Sequence, residues 1–161
     1  MFEVSRDVLT SATITKIFYA YKTLGNTVYI NNKYTDRHWP SFVGHFLISK
    51  FTNEEFNFVW QEAKEHLPEA ELIEARVLKY STNCHIPPHL DMHEHTHSDL
   101  SVIIQLNSPD DYEGGDMIVD SELQELNSGD MAYYTYDYKH SVSRITKGSR
   151  YVVNFRCKLV K

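Results

Sequence analysis

From residue 71 to the end of the chain, apolar residues recur with a period of two, and that alternation limits the possible folds more than any other feature of the sequence. It runs through Leu72 to Tyr80, Leu100 to Leu106, Asp116 to Val119, Met131 to Tyr136, Ser141 to Ile145 and Tyr151 to Leu159. Successive side chains of a strand point to opposite faces, so each run predicts a strand with one face on a core. The separators are turn formers: Ser108-Pro109-Asp110-Asp111 with Gly114-Gly115, Asn127-Ser128-Gly129-Asp130, and Lys147-Gly148-Ser149. Short strands joined by tight turns after a helical front end predict a mainly β (α+β) fold, a sandwich or jelly roll with helices packed on one sheet.

The chain before residue 71 reads differently. Thr52-Asn53-Glu54-Glu55 is a capping-box pattern, and Phe56, Val59, Trp60, Ala63 and Leu67 follow at helical spacing until Pro68. This predicts one amphipathic helix of about four turns whose apolar stripe lies on a sheet. The first 50 residues are aromatic-rich and read as irregular, with Thr27-Val28-Tyr29-Ile30 as a strand candidate and Asn31-Asn32-Lys33 as turn material. At 161 residues and 42% hydrophobic content, the chain is long enough for a single domain with a sizeable core, residues 1–70 supporting a β core over 71–161.

A formal charge of −6 gives no general attraction to a polyanion, so neither nucleic acid nor an anionic membrane is an expected partner. Cys84 and Cys157 are the only cysteines, too few for a disulfide-stapled secreted scaffold. The N-terminus, MFEVSRDVLT, lacks the basic start and apolar stretch of a signal peptide, and no apolar run is long enough for a membrane helix. A soluble, cytoplasmic protein is expected. A Gly-x-Ser-x-Gly elbow and a phosphate-cradling P-loop are both missing, which argues against serine-hydrolase and nucleotide chemistry. Glu54, Glu55, Glu62 and Glu65 belong to the predicted helix, where a solvated face is the expectation. Trp60 on that helix reads as core packing, and Trp39 as a loop residue.

Within the β-period half, His89-Leu90-Asp91 is followed by His140 and then by Arg150. Two imidazoles and one carboxylate are the set that holds ferrous iron on one face and leaves the opposite positions open for oxygen chemistry. Residues i and i+2 of an extended segment project to one side, so His89 and Asp91 can share a metal. Singly, a His-x-Asp, a histidine and an arginine each have bland readings; their joint occurrence around a Gly-Gly hairpin and a Gly-Asp turn points to a metal site. The pattern places His140 and Arg150 on adjacent strands near one mouth of a barrel. Along the last strand, Arg150, Val152, Asn154 and Arg156 face one way, and Tyr151, Val153, Phe155, Cys157 and Leu159 face the core beneath the helix. Inward arginines are costly without partners, and an anionic ligand would supply one. The stretch from His85 to His97 also holds His93 and His95, and His93, His95 and His97 suit a solvated loop over the site mouth, a mobile lid or a substrate-facing loop. Structural zinc favours a closed four-ligand set, commonly with thiolates, and only Cys84 is near. A cupin would use His95-Thr96-His97 with a glutamate shortly after, where Asp99, Leu100, Ser101 and Val102 stand instead.

Residues 76 to 157 resemble the catalytic core of the prolyl-4-hydroxylase-like branch of iron(II)/2-oxoglutarate oxygenases. The likeness is carried by RVLKY, HLD, VIIQLN, YEGGDM, GDMAYY and KHSVSRITKGSRYVV, in order and spacing as well as type. It implies a double-stranded β-helix with His89, Asp91 and His140 as iron ligands. It also implies that Arg150 grips the distal carboxylate of 2-oxoglutarate, and that Tyr80 hydrogen-bonds the same cosubstrate. Many collagen-type members carry lysine at the place of Arg150, which sets this chain with other subgroups. The implied activity is a dioxygenase that uses Fe(II), 2-oxoglutarate and O2, with ascorbate as a reductant. It would hydroxylate a C–H bond of a prolyl residue in a peptide or protein, or of a small molecule, while 2-oxoglutarate is decarboxylated to succinate. The competing expectation is a metal-binding β-barrel without turnover, acting as a binding or assembly module.

Overall fold

A computed structural model describes residues 1–23, 28–30, 46–91 and 97–161, with 28–30 and 46–49 described by their backbone. Strand β1 (Phe2–Ser5) and helix α1 (Ser11–Thr23) come first, then β2 (Val28–Ile30), β3 (Phe46–Phe51) and helix α2 (Asn57–Ala63). The remainder is strand-rich: β4 (Ala70–Tyr80), β5 (Ile86–His89), β6 (Leu100–Gln105), β7 (Tyr112–Glu113) and β8 (Met117–Val119). It continues through β9 (Glu122–Gln124), β10 (Met131–Thr135), β11 (His140–Val142), β12 (Lys147–Gly148) and β13 (Arg150–Leu159). All pairings are antiparallel. Seven strands form one sheet in the order β1-β10-β6-β13-β4-β3-β2, and four form another in the order β5-β11-β8-β9. The mainly β fold is therefore as expected. No helix among the described residues is long and apolar enough to cross a membrane.

The large sheet has a core on each face. On one side Ala75, Val77, Val102, Ile104, Met131, Val153, Phe155 and Cys157 pack with Ile17 of α1 and with Phe56, Val59 and Ala63 around α2. Trp60 stands edge-on to Phe155 at 5.6 Å between ring centroids, so it is a packing residue as its spacing implied. On the other side Leu78, Tyr80, Ile103, Ala132, Tyr134 and Val152 meet Ile86, Met117, Val119 and Val142 of the four-stranded sheet. The alternation along β13 divides these cores as the sequence predicts.

The front end departs from expectation. It holds α1 and β1 rather than irregular chain, with Thr10 Oγ1 accepting from Thr13 N at 3.2 Å to start the helix. Glu62, expected on a solvated face, instead accepts from Thr10 N at 3.3 Å and from the Thr13 hydroxyl, tying α2 to α1. The predicted capping box does form, with Thr52 N donating to Glu55 Oε1 and Glu55 N to Thr52 Oγ1, both at 3.1 Å. The helix after it is shorter than expected. Residues 53–56 are turns, and after Ala63 the chain tightens into a 3₁₀ turn, Lys64–His66. Pro68 forces the residue before it out of helical geometry, and Leu67 is extended at φ −113.

Gly114 fixes the hairpin after β7. Its φ is +77, and a Cβ there would lie 1.9 Å from the Arg144 carbonyl oxygen, so only glycine lets this turn close on the segment leading from His140 to Arg150.

Candidate metal and cosubstrate site

The site lies between the two sheets. Ile86-Pro87-Pro88-His89 forms β5 at the edge of the four-stranded sheet, the position where strand prolines are tolerated because no ladder donor is needed outward. On the neighbouring β11, His140 is directly in register with His89, and their ring centroids are 4.2 Å apart. Asp91 follows two residues beyond the end of β5. Its Oδ1 is 3.5 Å from His89 Nε2 and 3.4 Å from His140 Nε2, and the three ligand atoms lie within 4.8 Å of one another.

Both imidazoles are oriented by the same device. His89 Nδ1 donates to the Pro87 carbonyl at 2.8 Å and His140 Nδ1 to the Tyr138 carbonyl at 3.0 Å. These bonds turn each Nε2 toward the shared point. Ser101 Oγ donates to Asp91 Oδ2 at 2.5 Å, which leaves Oδ1 facing the histidines. Burial pushes the Asp91 carboxyl up, but hydrogen bonds from His140 and His89 and the charges of His140 and Arg156 outweigh it, so the group sits well below the usual carboxylate range. A carboxylate flanked by two imidazole nitrogens is a metal donor set, and a bound cation would take the place of the protons between them. On a first-row cation with bonds of about 2.1 Å, neighbouring ligand atoms stand about 3 to 3.5 Å apart, and the Nε2–Oδ1 separations match that spacing. The residues therefore fit a single iron ion.

Arg150 and His140 are not on adjacent strands, contrary to the sequence expectation. His140 lies in the four-stranded sheet between β5 and β8, while Arg150 lies on β13 of the large sheet, in register with Tyr80. Two sheets facing one another across the core bring together what a single ladder was expected to align. Arg150 is 2% exposed. Its Nε donates to Gln105 Oε1 at 3.0 Å, and its guanidinium carbon is 5.5 Å from the centre of the Tyr80 ring. Gln105 is oriented in turn, since its amide nitrogen donates to the Asn107 carbonyl at 2.9 Å and to Tyr112 Oη at 3.0 Å. Burial pushes the Tyr80 phenol up to about 12, only partly offset by Arg150 and Arg76, so it keeps its proton at neutral pH and can donate.

Ser101, Gln105 and Tyr134 were not singled out from sequence. Tyr134 is buried, with its ring 4.4 Å from that of His140. Ser101 and Gln105 carried a readable signal, since they are the polar members of a strand buried along its whole length, on one face with Ile103 between them. Of the histidine-rich stretch, His85 directs Nδ1 at the Asn83 carbonyl 3.4 Å away, and His97 is exposed. His93, His95 and Trp39 lie outside the described residues. Cys84 is buried in the core between the sheets, and Cys157 is buried on the helix side.

Three comparisons place this geometry. Residues 75–156 match the family model of the 2OG-Fe(II) oxygenase superfamily. A PKHD-type hydroxylase of Gluconobacter oxydans is 32% identical over 89 residues, covering 48% of this chain and 39% of the relative. The matched stretch thus spans about two-fifths of that protein. Among solved structures, a 2OG-Fe(II) oxygenase family oxidoreductase from Burkholderia pseudomallei superposes with a TM-score of 0.73 at 10% identity, covering 98% of this chain and 84% of the other. A prolyl-4-hydroxylase of Pseudomonas putida does so with a TM-score of 0.72 at 11% identity, covering 99% and 93%. At such identities the structural likeness is one of fold.

Proposed function

This chain belongs to the 2OG-Fe(II) oxygenase superfamily, and from that premise we propose that it is an Fe(II)- and 2-oxoglutarate-dependent dioxygenase that hydroxylates a C–H bond, with a prolyl residue of a peptide or protein as the preferred target. The observation that carries the reading is the convergence of His89 Nε2, Asp91 Oδ1 and His140 Nε2 on one point, in the same inter-sheet space as the buried, pre-oriented Arg150. The prolyl target is supported by the PKHD-type hydroxylase relative in sequence and the prolyl-4-hydroxylase neighbour in fold. Residues 1–161 act as one domain on this reading, 71–161 forming a double-stranded β-helix and 1–70 bracing it.

His89, Asp91 and His140 would hold the iron. When bound, iron and 2-oxoglutarate would supply the activation of O2 and the oxidising power for C–H cleavage, with succinate and CO2 as coproducts. The chain's own groups do the rest. Arg150 receives the distal carboxylate of 2-oxoglutarate with its planar fork, which Gln105 holds in place. Tyr80, a protonated phenol at neutral pH, donates a hydrogen bond to the same molecule. The apolar residues between the sheets exclude water from the space around the ligands.

The test is succinate release under oxygen, with a +16 Da product sought across proline-containing peptides. Wild type should form succinate only when Fe(II) and 2-oxoglutarate are both supplied. Arg150→Ala should keep iron and lose 2-oxoglutarate affinity by about 30-fold or more, as expected when a buried charged partner is removed. Retained iron with no succinate would favour a metal-binding β-barrel without turnover.

A further inference from the structure

The face of β13 that starts with Arg150 ends at Arg156, and the ladder changes there. Glu74 of β4 is in register with Arg156, but the next pair is Leu72 with Cys157, so Ile73 is an extra residue on β4. This one-residue bulge reverses the parity of β4: Ala75 and Val77 lie in the helix-side core, and beyond the bulge Leu72 packs there too. Bulges re-aim side chains and recur beside functional sites.

A cationic cluster occupies the point where the site face stops. Glu74 Oε2 lies 3.7 Å from Nε of both Arg76 and Arg156, and Glu74 Oε1 is 2.6 Å from Lys50 Nζ. Burial pushes Glu74 up, but Arg76, Lys50 and Arg156 together hold it below the usual range, so one carboxylate faces three cations. Arg76 is further anchored by donating from Nε to Asn154 Oδ1 at 3.0 Å. Arg156 is different. Its described charged partner is Glu74, too far for a good hydrogen bond, and its side chain is 13% exposed. Among the described residues no fully buried side-chain nitrogen lacks a partner, so the remaining donors of Arg156 open to solvent.

The cluster borders the metal ligands. Arg156 is in register with Ser101, the residue whose hydroxyl holds Asp91 Oδ2, and its charge is among those acting on Asp91. It does not serve the cosubstrate handle, because six residues of extended strand separate it from Arg150 by about 20 Å. A five-carbon diacid held by Arg150 cannot span that distance.

We propose that Arg156, steadied by Glu74 and backed by Arg76, binds a carboxylate of the molecule to be hydroxylated, so that the substrate is an anion anchored at the opposite end of the site from 2-oxoglutarate. This rests on the oxygenase reading above and adds the class of substrate. A guanidinium with donors open to solvent binds carboxylates through paired, charge-assisted hydrogen bonds. The carboxylate comes either from a free acid or from an acidic peptide.

The experiment titrates Fe(II)- and 2-oxoglutarate-loaded protein, without oxygen, with matched probes. One arm compares N-acetylproline with N-acetylprolinamide, and the other compares capped proline peptides bearing Asp or Glu with the same peptides bearing Asn or Gln. In at least one arm the carboxylate member should bind about 10- to 100-fold tighter, the range for a charge-assisted hydrogen bond. A preference in the first arm identifies a free acid, and one in the second an acidic peptide. Arg156→Gln should abolish the preference and Arg156→Lys should keep part of it, both with unchanged 2-oxoglutarate affinity. Absence of a preference in both arms, while the visible band of the iron chelate is intact, overturns the substrate class and leaves the oxygenase reading standing. An undiminished preference in Arg156→Gln overturns the role of Arg156. A wild-type protein without the band removes both readings.

Discussion

The two faces of the large sheet use opposite physics. Against the helices, Val77, Val102, Ile104, Val153 and Phe155 are buried in one hydrophobic cluster, and stability there scales with area removed from water. On the face toward the smaller sheet, Arg76, Ser101, Gln105, Arg150 and Asn154 are buried among apolar residues. Each has a specific partner: Arg76 and Asn154 hold each other, Gln105 holds Arg150, and Ser101 holds Asp91. Buried charges and amides add little net stability, while a broken pair is expensive. One face therefore keeps the sheet folded, and the other spends that stability on holding functional groups in place.

The largest effect that would break this contrast is on the metal. Asp91→Ala should weaken Fe(II) binding by more than the roughly 10- to 100-fold typical of losing a supporting residue around a metal, while the metal-free protein melts within a few degrees of wild type. Calorimetric titration and a thermal scan check the pair, and a large drop in melting temperature would blur the division between the faces. Phe155→Ala should do the reverse. It should destabilise by about 3–5 kcal/mol, with a melting temperature lower by about 6–20 °C, and leave iron affinity of the folded protein unchanged. Gln105→Ala, which frees Arg150 to move without removing it, should weaken 2-oxoglutarate binding by about 10- to 100-fold at most, the range for one lost hydrogen bond to a charged group. Its effect on the rate at saturating cosubstrate should be small.

The smallest effect concerns pH. Tyr133 lies on the helix side, and burial, followed by its 2.6 Å hydrogen bond to Glu3, raises it to about 12 from an ordinary 10.0. A raised pKa contributes stability that is complete below the unfolded value and disappears as pH climbs through the folded one. Denaturant midpoints should therefore fall between pH 10 and 12 more steeply in wild type than in Tyr133→Phe. Equal slopes would show that this residue is not involved.

Most of the β core was legible in the sequence because a half-buried strand writes its geometry as alternation. Residues 72–80, 100–106, 131–136 and 151–159 each match an observed strand. The strand carrying His89 was not, because Pro87 and Pro88 argue against a strand and are tolerated only at a sheet edge. The bulge at Ile73 was hidden too, since reversed parity in β4 depends on its register with β13. Helix α1 was missed through composition: its Thr, Ile, Phe and Tyr residues favour strands, although Ile14, Ile17, Phe18 and Tyr21 recur at helical spacing. At the site, the spacing of His89, Asp91, His140 and Arg150 was readable from residue type alone. What orients them was not: Ser101 and Gln105 stand out as polar positions in an apolar strand, but that they hold Asp91 and Arg150 is set by tertiary contacts.

The central claim is that His89, Asp91 and His140 hold iron with 2-oxoglutarate under the control of Arg150. The most direct test is the visible absorption of the protein after anaerobic addition of Fe(II) and then 2-oxoglutarate. A weak charge-transfer band should appear in wild type, require saturating cosubstrate in Arg150→Ala, and be absent in Asp91→Ala. No band in wild type, or an equal band in all three proteins, would contradict it.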